Sequence, residues 1–385
     1  MPHHRAPCAA QGVDLSQLGT EDANGAAPPF KADAEGPPTD ALTLLRSRGA
    51  NTFRMRMWND PCAEVWYPDG FCDKSKWSYA NLTGVLKMAQ RVKAANLTFV
   101  LDLHYSDWWA DPGKQRKPEA WDRLKFDDLV LAVHDFTRET VAALVDQGTP
   151  PFAVQIGNEI SNGFLWNNAS TNQPCAAGGR LFCKGSTLEA DWRRFAELVA
   201  SGIQGARAAC PTTKIAIHTD LGNHIITYGI GYVIDWYKNL TANLASGAVL
   251  RPPQHFDLIG LSMYPQWDGG GTGGNHGGQP KHGQTFQSVA LLPKLAEAFY
   301  TSGQRIYIAE TAYPAAGPDQ PEVNFSATPE GQSRFLEALR AAVADALGPR
   351  HNGGVLWWEG FECGGWNSLF DEDCVARPVV LKSFE

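Results

Sequence analysis

Val154-Gln155-Ile156-Gly157-Asn158-Glu159-Ile160 decides how this chain is read. A short apolar run ends in an Asn-Glu pair, and a loop holding Gly163 and Trp166 follows. Apolar residues leading straight into a carboxylate describe a strand that delivers an acid to the mouth of a scaffold. A second run of the same form lies far downstream: Ile306-Tyr307-Ile308-Ala309-Glu310-Thr311, then Tyr313-Pro314. Two glutamates at the ends of separate strands are the minimum equipment for acid/base work on a sugar bond.

Outward from these two strands the same unit repeats. Strands are predicted over Gly12–Ser16, Asn51–Trp58, Leu97–His104, Phe152–Glu159, Lys214–Asp220, Phe256–Tyr264, Gln304–Glu310 and Gly353–Glu359. Helices are predicted between them, over Thr39–Arg48, Tyr79–Ala95, Phe126–Gln147, Thr187–Ala209, Tyr228–Asn243, Phe286–Ser302 and Thr328–Leu347. Strands that alternate with helices, without a break in composition, predict a parallel α/β architecture. The eightfold count favours a closed (β/α)8 TIM barrel with long βα loops over an open sheet. A single catalytic domain over residues 1–385 is expected, with the first ten irregular. In Asn51–Trp58, Phe53, Met55 and Met57 alternate with Arg54, Arg56 and Trp58. Two arginines on an inner face are costly unless they meet carboxylates or substrate.

Composition narrows the class. Hydrophobic residues make up 43% of the chain and charged residues 19%, which suits a folded core and excludes disorder. The net charge is -8 with no Lys/Arg run, so neither nucleic acid nor an anionic membrane is expected as a partner. No apolar run is long enough to span a bilayer. Met1-Pro2-His3-His4-Arg5 leads into a polar segment rather than a signal peptide, and the start reads as a truncated or mis-annotated gene.

The cysteines nonetheless point to secretion. Three close pairs, Cys62/Cys72, Cys175/Cys183 and Cys363/Cys374, flank loop residues, as bridges in an oxidising compartment do. Cys8 and Cys210 are left over, and no repeated C-x-x-C zinc spacing is present. Asn81, Asn96, Asn168, Asn239 and Asn324 begin Asn-x-Ser/Thr sequons, which fit a secreted glycoprotein. No strand-helix junction carries a phosphate cradle, which weakens a nucleotide reading. The Gly-rich segment Gly269–Gly278 reads as a loop.

In a barrel the chemistry sits at the carboxyl ends of the strands. Those ends carry Arg54, Arg56 and Trp58, His104, Asn158 and Glu159, His218 and Asp220, Tyr264, Glu310, and Trp357, Trp358 and Glu359. Each has a plainer alternative: a strand-end Glu can be a surface ion pair, His104 a structural histidine, Tyr264 a packing residue before a turn. Asp102, His104, His218 and Asp220 could bind a metal, but the first strand lacks the His-x-His expected of a metal-dependent barrel hydrolase. The ring as a whole favours glycoside hydrolysis, where one carboxyl protonates the leaving oxygen and another attacks or stabilises the anomeric carbon. Arg54 and a tyrosine hydroxyl near Glu310 would keep it charged, which leaves Glu159 as the acid. No cofactor and no metal are expected.

The residues resemble clan A of the retaining glycoside hydrolases, and more closely glycoside hydrolase family 53, the endo-β-1,4-galactanases. The resemblance rests on Gly12-Val13-Asp14, on Asn51 through Pro61, and on His104-Tyr105-Ser106-Asp107-Trp108-Trp109-Ala110-Asp111-Pro112-Gly113-Lys114-Gln115. Gln155 through Ile160, Ser262-Met263-Tyr264-Pro265, Ala309 through Pro314 and Trp357-Trp358-Glu359 complete it, in order along almost the whole chain. It implies that Glu159 is the general acid/base and Glu310 the nucleophile. It further implies that Asn158 holds the 2-hydroxyl, that Arg54 and Tyr264 support Glu310, and that Trp358 is a sugar platform. His104, Asp107, Trp109 and Trp166 are expected to line neighbouring subsites. The implied partner is a galactan polysaccharide, cleaved by a secreted monomer; a mannanase, a xylanase or a non-catalytic carbohydrate-binding barrel are the alternatives. The chain departs from the family at Ala315, where a Trp is usual, and at Gly360-Phe361-Glu362. Few carboxylates, Asp319 and Glu322, lie in the loop Ala315–Thr328, where some relatives hold calcium.

Overall fold

The computed structural model describes residues 9–16, 18, 30–61, 78–167, 175–245, 254–265, 284–317 and 325–384. Among them, eight strands form one parallel sheet: β1 (Ala10–Val13), β2 (Thr52–Met57), β3 (Thr98–Leu103), β4 (Ala153–Ile156), β5 (Lys214–Thr219), β6 (Leu258–Ser262), β7 (Arg305–Thr311) and β8 (Asn352–Trp357). Each strand neighbours the next in sequence, and β1 returns to pair with β8. The ring closes between β1 and β2, where Asp14 and Arg54 form a parallel bridge and the Leu15 amide donates to the Arg54 carbonyl at 2.7 Å. Closure needs Gly12, because a Cβ there would lie 1.7 Å from the Thr52 carbonyl oxygen. The eight strands and the closed topology are those expected of a TIM barrel.

Alternation sorts the side chains into two sets. Phe53, Met55, Leu101, Val154, Ile217, Ile259, Ile308 and Val355 point outward into the core shared with the helices. The opposite face carries a separate small cluster of Ala10, Val100, Ala153, Ala216, Leu258, Tyr307, Ala309 and Leu356, which plugs the amino-terminal end of the barrel. Two to four residues further along the same faces the plug gives way to Gly12/Asp14, Arg54, Asp102, Gln155, His218 and Ser262, all buried. An apolar floor therefore carries a polar layer directly beneath the strand ends.

Helix boundaries follow local chemistry. Asp40, Asn81, Thr187 and Thr328 each cap a helix with a side-chain oxygen. The stretch predicted as one helix from Tyr79 is a 3-10 turn, Ser78–Ala80, followed by the Asn81-capped helix Leu82–Ala94. The helix predicted over Tyr228–Asn243 is broken by Gly229, at φ 82°, into Ile225–Tyr228 and Ile230–Ala245. That predicted over Phe286–Ser302 is two short helices, Gln284–Val289 and Leu292–Ala298. A hairpin of Gly163–Phe164 with Gly179–Arg180 and a helix Pro378–Lys382 were not signalled by periodicity, being too short to show one.

Cys175–Cys183 and Cys363–Cys374 are disulfides, and Cys210 is a buried free thiol. Cys8, Cys62, Cys72, Asn168, Asn324, the Gly269–Gly278 segment and the carboxylates Asp319 and Glu322 lie outside the described residues. No helix among the described residues is long and apolar enough to cross a membrane.

Candidate active site

A cleft of about 540 Å³ opens at the carboxyl ends of the strands. Arg54, His104, Trp109, Asn158, Glu159, Tyr264, Glu310 and Trp358 all line it. The structure thus brings together eight of the residues singled out from the sequence, from strands β2, β3, β4, β6, β7 and β8 and the turns that follow them. Asp107 and Trp166 are placed elsewhere. Asp107 accepts from the amides of Asp60 (2.9 Å) and Glu119 (2.7 Å), so it ties the loops after β2 and β3 together. Trp166 donates to the Asn162 carbonyl at 3.2 Å and lies under Arg180, whose guanidinium carbon is 4.4 Å from the ring centre.

Arg54 is the hub. Its five N–H donors are matched by five acceptors: Gln155 Oε1 (3.2 Å), Asp14 Oδ2 (2.8 Å), Glu310 Oε1 (2.9 Å), Asp102 Oδ2 (2.7 Å) and Asn158 Oδ1 (2.7 Å). Burial of this guanidinium is offset by Asp102, Glu310 and Asp14, which keep it charged. Glu310 also accepts from the Tyr264 hydroxyl at 2.9 Å. The buried Tyr264 phenol is pushed well above its usual pKa and remains a donor. Glu310 is thereby held in place through both oxygens.

Glu159 sits differently. It follows β4 in a left-handed turn with φ 49°, a strained backbone for a residue other than glycine. Gln115 fixes that turn by donating to the carbonyls of Asn158 (2.6 Å) and Glu159 (3.4 Å). Glu159 is half-buried, with Ser262 Oγ 2.6 Å from its Oε1. Burial, Glu310 and Asp220 push its pKa well up. Burial raises Glu310 too, but Arg54 and the Tyr264 hydroxyl pull against that rise, so of the two Glu159 is the better placed to hold a proton.

An oxygen of Glu159 and an oxygen of Glu310 lie within 4.8 Å of each other. Such a close approach suits a retaining pair, whose carboxyl groups stand about 5–5.5 Å apart. His218 shares that spacing, yet its nitrogens already face Asn158 Oδ1 and Ser262 Oγ, each at 2.9 Å. Asp102 and Asp220 are engaged as well, with Arg54 and His104 in one case and with Ser161 and His224 in the other. The donors weighed above as metal ligands are therefore each engaged by other side chains.

The aromatic wall is built on Arg56. Its guanidinium lies 3.7 Å from the centre of Trp109 and 4.7 Å from that of Trp58, and it pairs with Glu359 at 3.1 Å. Trp109 and Trp358 meet at 6.2 Å, and Trp358 meets Tyr264 edge-on at 6.3 Å. His104 Nδ1 accepts from the Ala110 amide at 3.1 Å, and its Nε2 faces Asp102 at 3.0 Å, so the ring positions the Trp109 segment as a neutral imidazole. Sequence reasoning missed Asp14, Gln155 and Ser262 as members of the site, and Asn223, His224 and Trp366 as lining residues. The first three could have been found by carrying each strand's inner face onward in steps of two.

Comparison with known proteins agrees with this geometry. The model of glycosyl hydrolase family 53 matches residues 10–370. The chain belongs to that family. It is 33% identical to an uncharacterized protein of Niallia circulans, over 90% of this chain and 82% of that one. It is 30% identical to a probable arabinogalactan endo-β-1,4-galactanase A of Aspergillus terreus, over 93% of this chain and 87% of the relative. A solved structure of a fungal β-1,4-galactanase superposes with a TM-score of 0.71 at 25% identity, covering 97% of this chain and 98% of the other. The family 53 chain is a glycoside hydrolase with the TIM-barrel fold.

Proposed function

We propose that this protein is a retaining endo-β-1,4-galactanase acting on galactan or type I arabinogalactan. The observation that carries the reading is the close pair Glu159 and Glu310, held in opposite electrostatic surroundings in a family 53 barrel. Glu159, protonated, gives its proton to the glycosidic oxygen while Glu310 attacks the anomeric carbon from the other side. The C–O bond breaks, and a galactosyl ester forms on Glu310. Glu159, now ionised, takes a proton from water as that water attacks the ester and frees Glu310.

Asn158 supports the cleavage subsite. Its Oδ1 is held by Arg54, and one N–H goes to the Ala110 carbonyl at 2.8 Å, which leaves the other N–H for a sugar hydroxyl. Trp358 and Trp109 offer apolar faces to the ring. Asp107 and Trp166 act one step back, through the loops that carry Trp109 and Gln115. The working unit is one barrel domain, secreted and monomeric; its disulfides suit an oxidising compartment. Reducing-sugar release from linear galactan, compared with mannan and xylan, tests the substrate. Galactan should be cleaved internally with a rapid drop in viscosity; preference for mannan or xylan would overturn the assignment.

A further inference from the structure

Behind Glu159 stands a chain of hydrogen bonds whose polarity the surrounding network dictates. Asn158 fixes one end. Its Oδ1 accepts from Arg54 at 2.7 Å and its Nδ2 donates to Ala110 at 2.8 Å, so the amide cannot be turned over. His218 Nδ1 lies 2.9 Å from that Oδ1, an acceptor, and must therefore carry a proton. Gln155 Nε2 is 3.3 Å from the same nitrogen, but its hydrogens go to Asp102 Oδ1 (2.5 Å) and the Gly157 carbonyl (3.0 Å).

The far nitrogen follows from charge. His218 is fully buried beside Arg54 and His104, with Asp102, Glu159 and Glu310 as acidic neighbours. Burial and Arg54 push the imidazole well below its usual pKa, so it is neutral. With Nδ1 protonated, Nε2 is bare. It faces Ser262 Oγ at 2.9 Å, so the imidazole competes for the serine proton with Glu159 Oε1, to which the hydroxyl can also donate at 2.6 Å. Ser262 has one proton. While it points to His218, the oxygen shows Glu159 Oε1 a lone pair across 2.6 Å. That contact is favourable when Glu159 carries the proton and unfavourable when it is a bare carboxylate.

We infer that Ser262 and His218 are positioning residues that hold the proton on Glu159 between turnovers, by committing the serine hydroxyl to the imidazole. The inference rests on the acid/base role of Glu159 proposed above. When Glu159 gives its proton up, the Ser262 hydroxyl swings to donate to the carboxylate and leaves Nε2 unpartnered, so the protonated state is the one the network favours. Glu310, Asp220 and Asp111 face the same carboxyl and act in the same direction. The Ser262 hydroxyl pulls the other way when its proton faces Glu159, which gives the test its sign.

Ser262→Ala should move the basic limb of the kcat/KM profile on galactan down by about one pH unit, the worth of one net hydrogen bond. Ser262→Thr, which keeps the hydroxyl, should restore it. A limb that stays or moves up overturns the inference. In the unaltered protein with 15N-labelled histidine, NMR near neutral pH should show His218 protonated at Nδ1 and bare at Nε2. A protonated Nε2 overturns it equally, whether or not the variants fold. Glu159→Ala separates the two levels: azide should restore turnover of an aryl β-galactobioside and give a β-galactobiosyl azide. Failure of that rescue overturns both readings; success with an unmoved Ser262→Ala limb overturns only this one.

Discussion

Glu310 and Glu159 lie within 4.8 Å through their nearest oxygens, yet the protein builds them on opposite principles. Glu310 is buried on β7, bonded through Oε1 to a guanidinium and through Oε2 to a phenol. Glu159 hangs from a strained turn beyond β4, partly open to the cleft, with acidic neighbours and a serine. One carboxyl meets a cation and a phenol, and the other meets acidic neighbours and one serine hydroxyl. Distance alone does not assign the roles. The asymmetry of partners is what supports the proposed roles, and it can be attacked from either side.

The largest expected effect is at the nucleophile. Glu310→Ala should lower kcat on galactan on the order of 10⁴-fold or more, with no relief from an activated leaving group. Glu159→Ala should cost about 10²–10⁴-fold on galactan, because proton donation is lost. Its deficit should shrink sharply on an aryl galactobioside whose leaving group needs no proton. Equal deficits on both substrates would erase the distinction between the two glutamates.

Arg54→Lys attacks Glu310 directly and reaches Glu159 only through Asn158 and His218. A lysine supplies three donors where five are used, and breaking a buried pair costs about 3–5 kcal/mol, so the thermal midpoint should fall. Arg54 lowers the pKa of Glu310, so its loss should raise that pKa and move the acidic limb of kcat/KM to higher pH. The basic limb, which belongs to Glu159, should move less. Tyr264→Phe should act in the same direction, at about a tenfold cost in kcat/KM, since it removes one hydrogen bond to a charged group.

The smallest effect is in stability. Burial raises the Glu359 carboxyl to about 7 although Arg56 opposes the rise. A raised folded pKa gives stability that is present below the unfolded value and lost as pH climbs through 7. Thermal midpoints measured across that range should therefore fall less steeply for Glu359→Gln than for the parent.

Most of the barrel was legible because its strands announce themselves twice, by apolar outer faces and by polar ends. Phe53, Met55 and Met57 against Arg54 and Arg56 was the clearest case, and the structure pairs both arginines with carboxylates. Helices were harder where a glycine or proline interrupts them, as Gly229 and Pro293 do, because the apolar spacing continues across the break. The cleft lining was legible where a residue type carries its own chemistry: Glu310, Trp358, Asn158. Ser262 and Gln155 were not, because a serine or glutamine in a strand signals nothing until three-dimensional neighbours give it partners. Asp107 shows the converse. Its place in a dense motif suggested contact with sugar, whereas its carboxylate is spent on two loop amides.

The close spacing and the unequal partners of the two glutamates make one stereochemical commitment. Proton NMR of linear galactan during the first minutes of hydrolysis, before mutarotation, reads it directly. Retention requires the new reducing ends to appear as the β-anomer and to relax later toward the equilibrium mixture. First appearance of the α-anomer would mean direct attack by water, and would contradict a covalent role for Glu310.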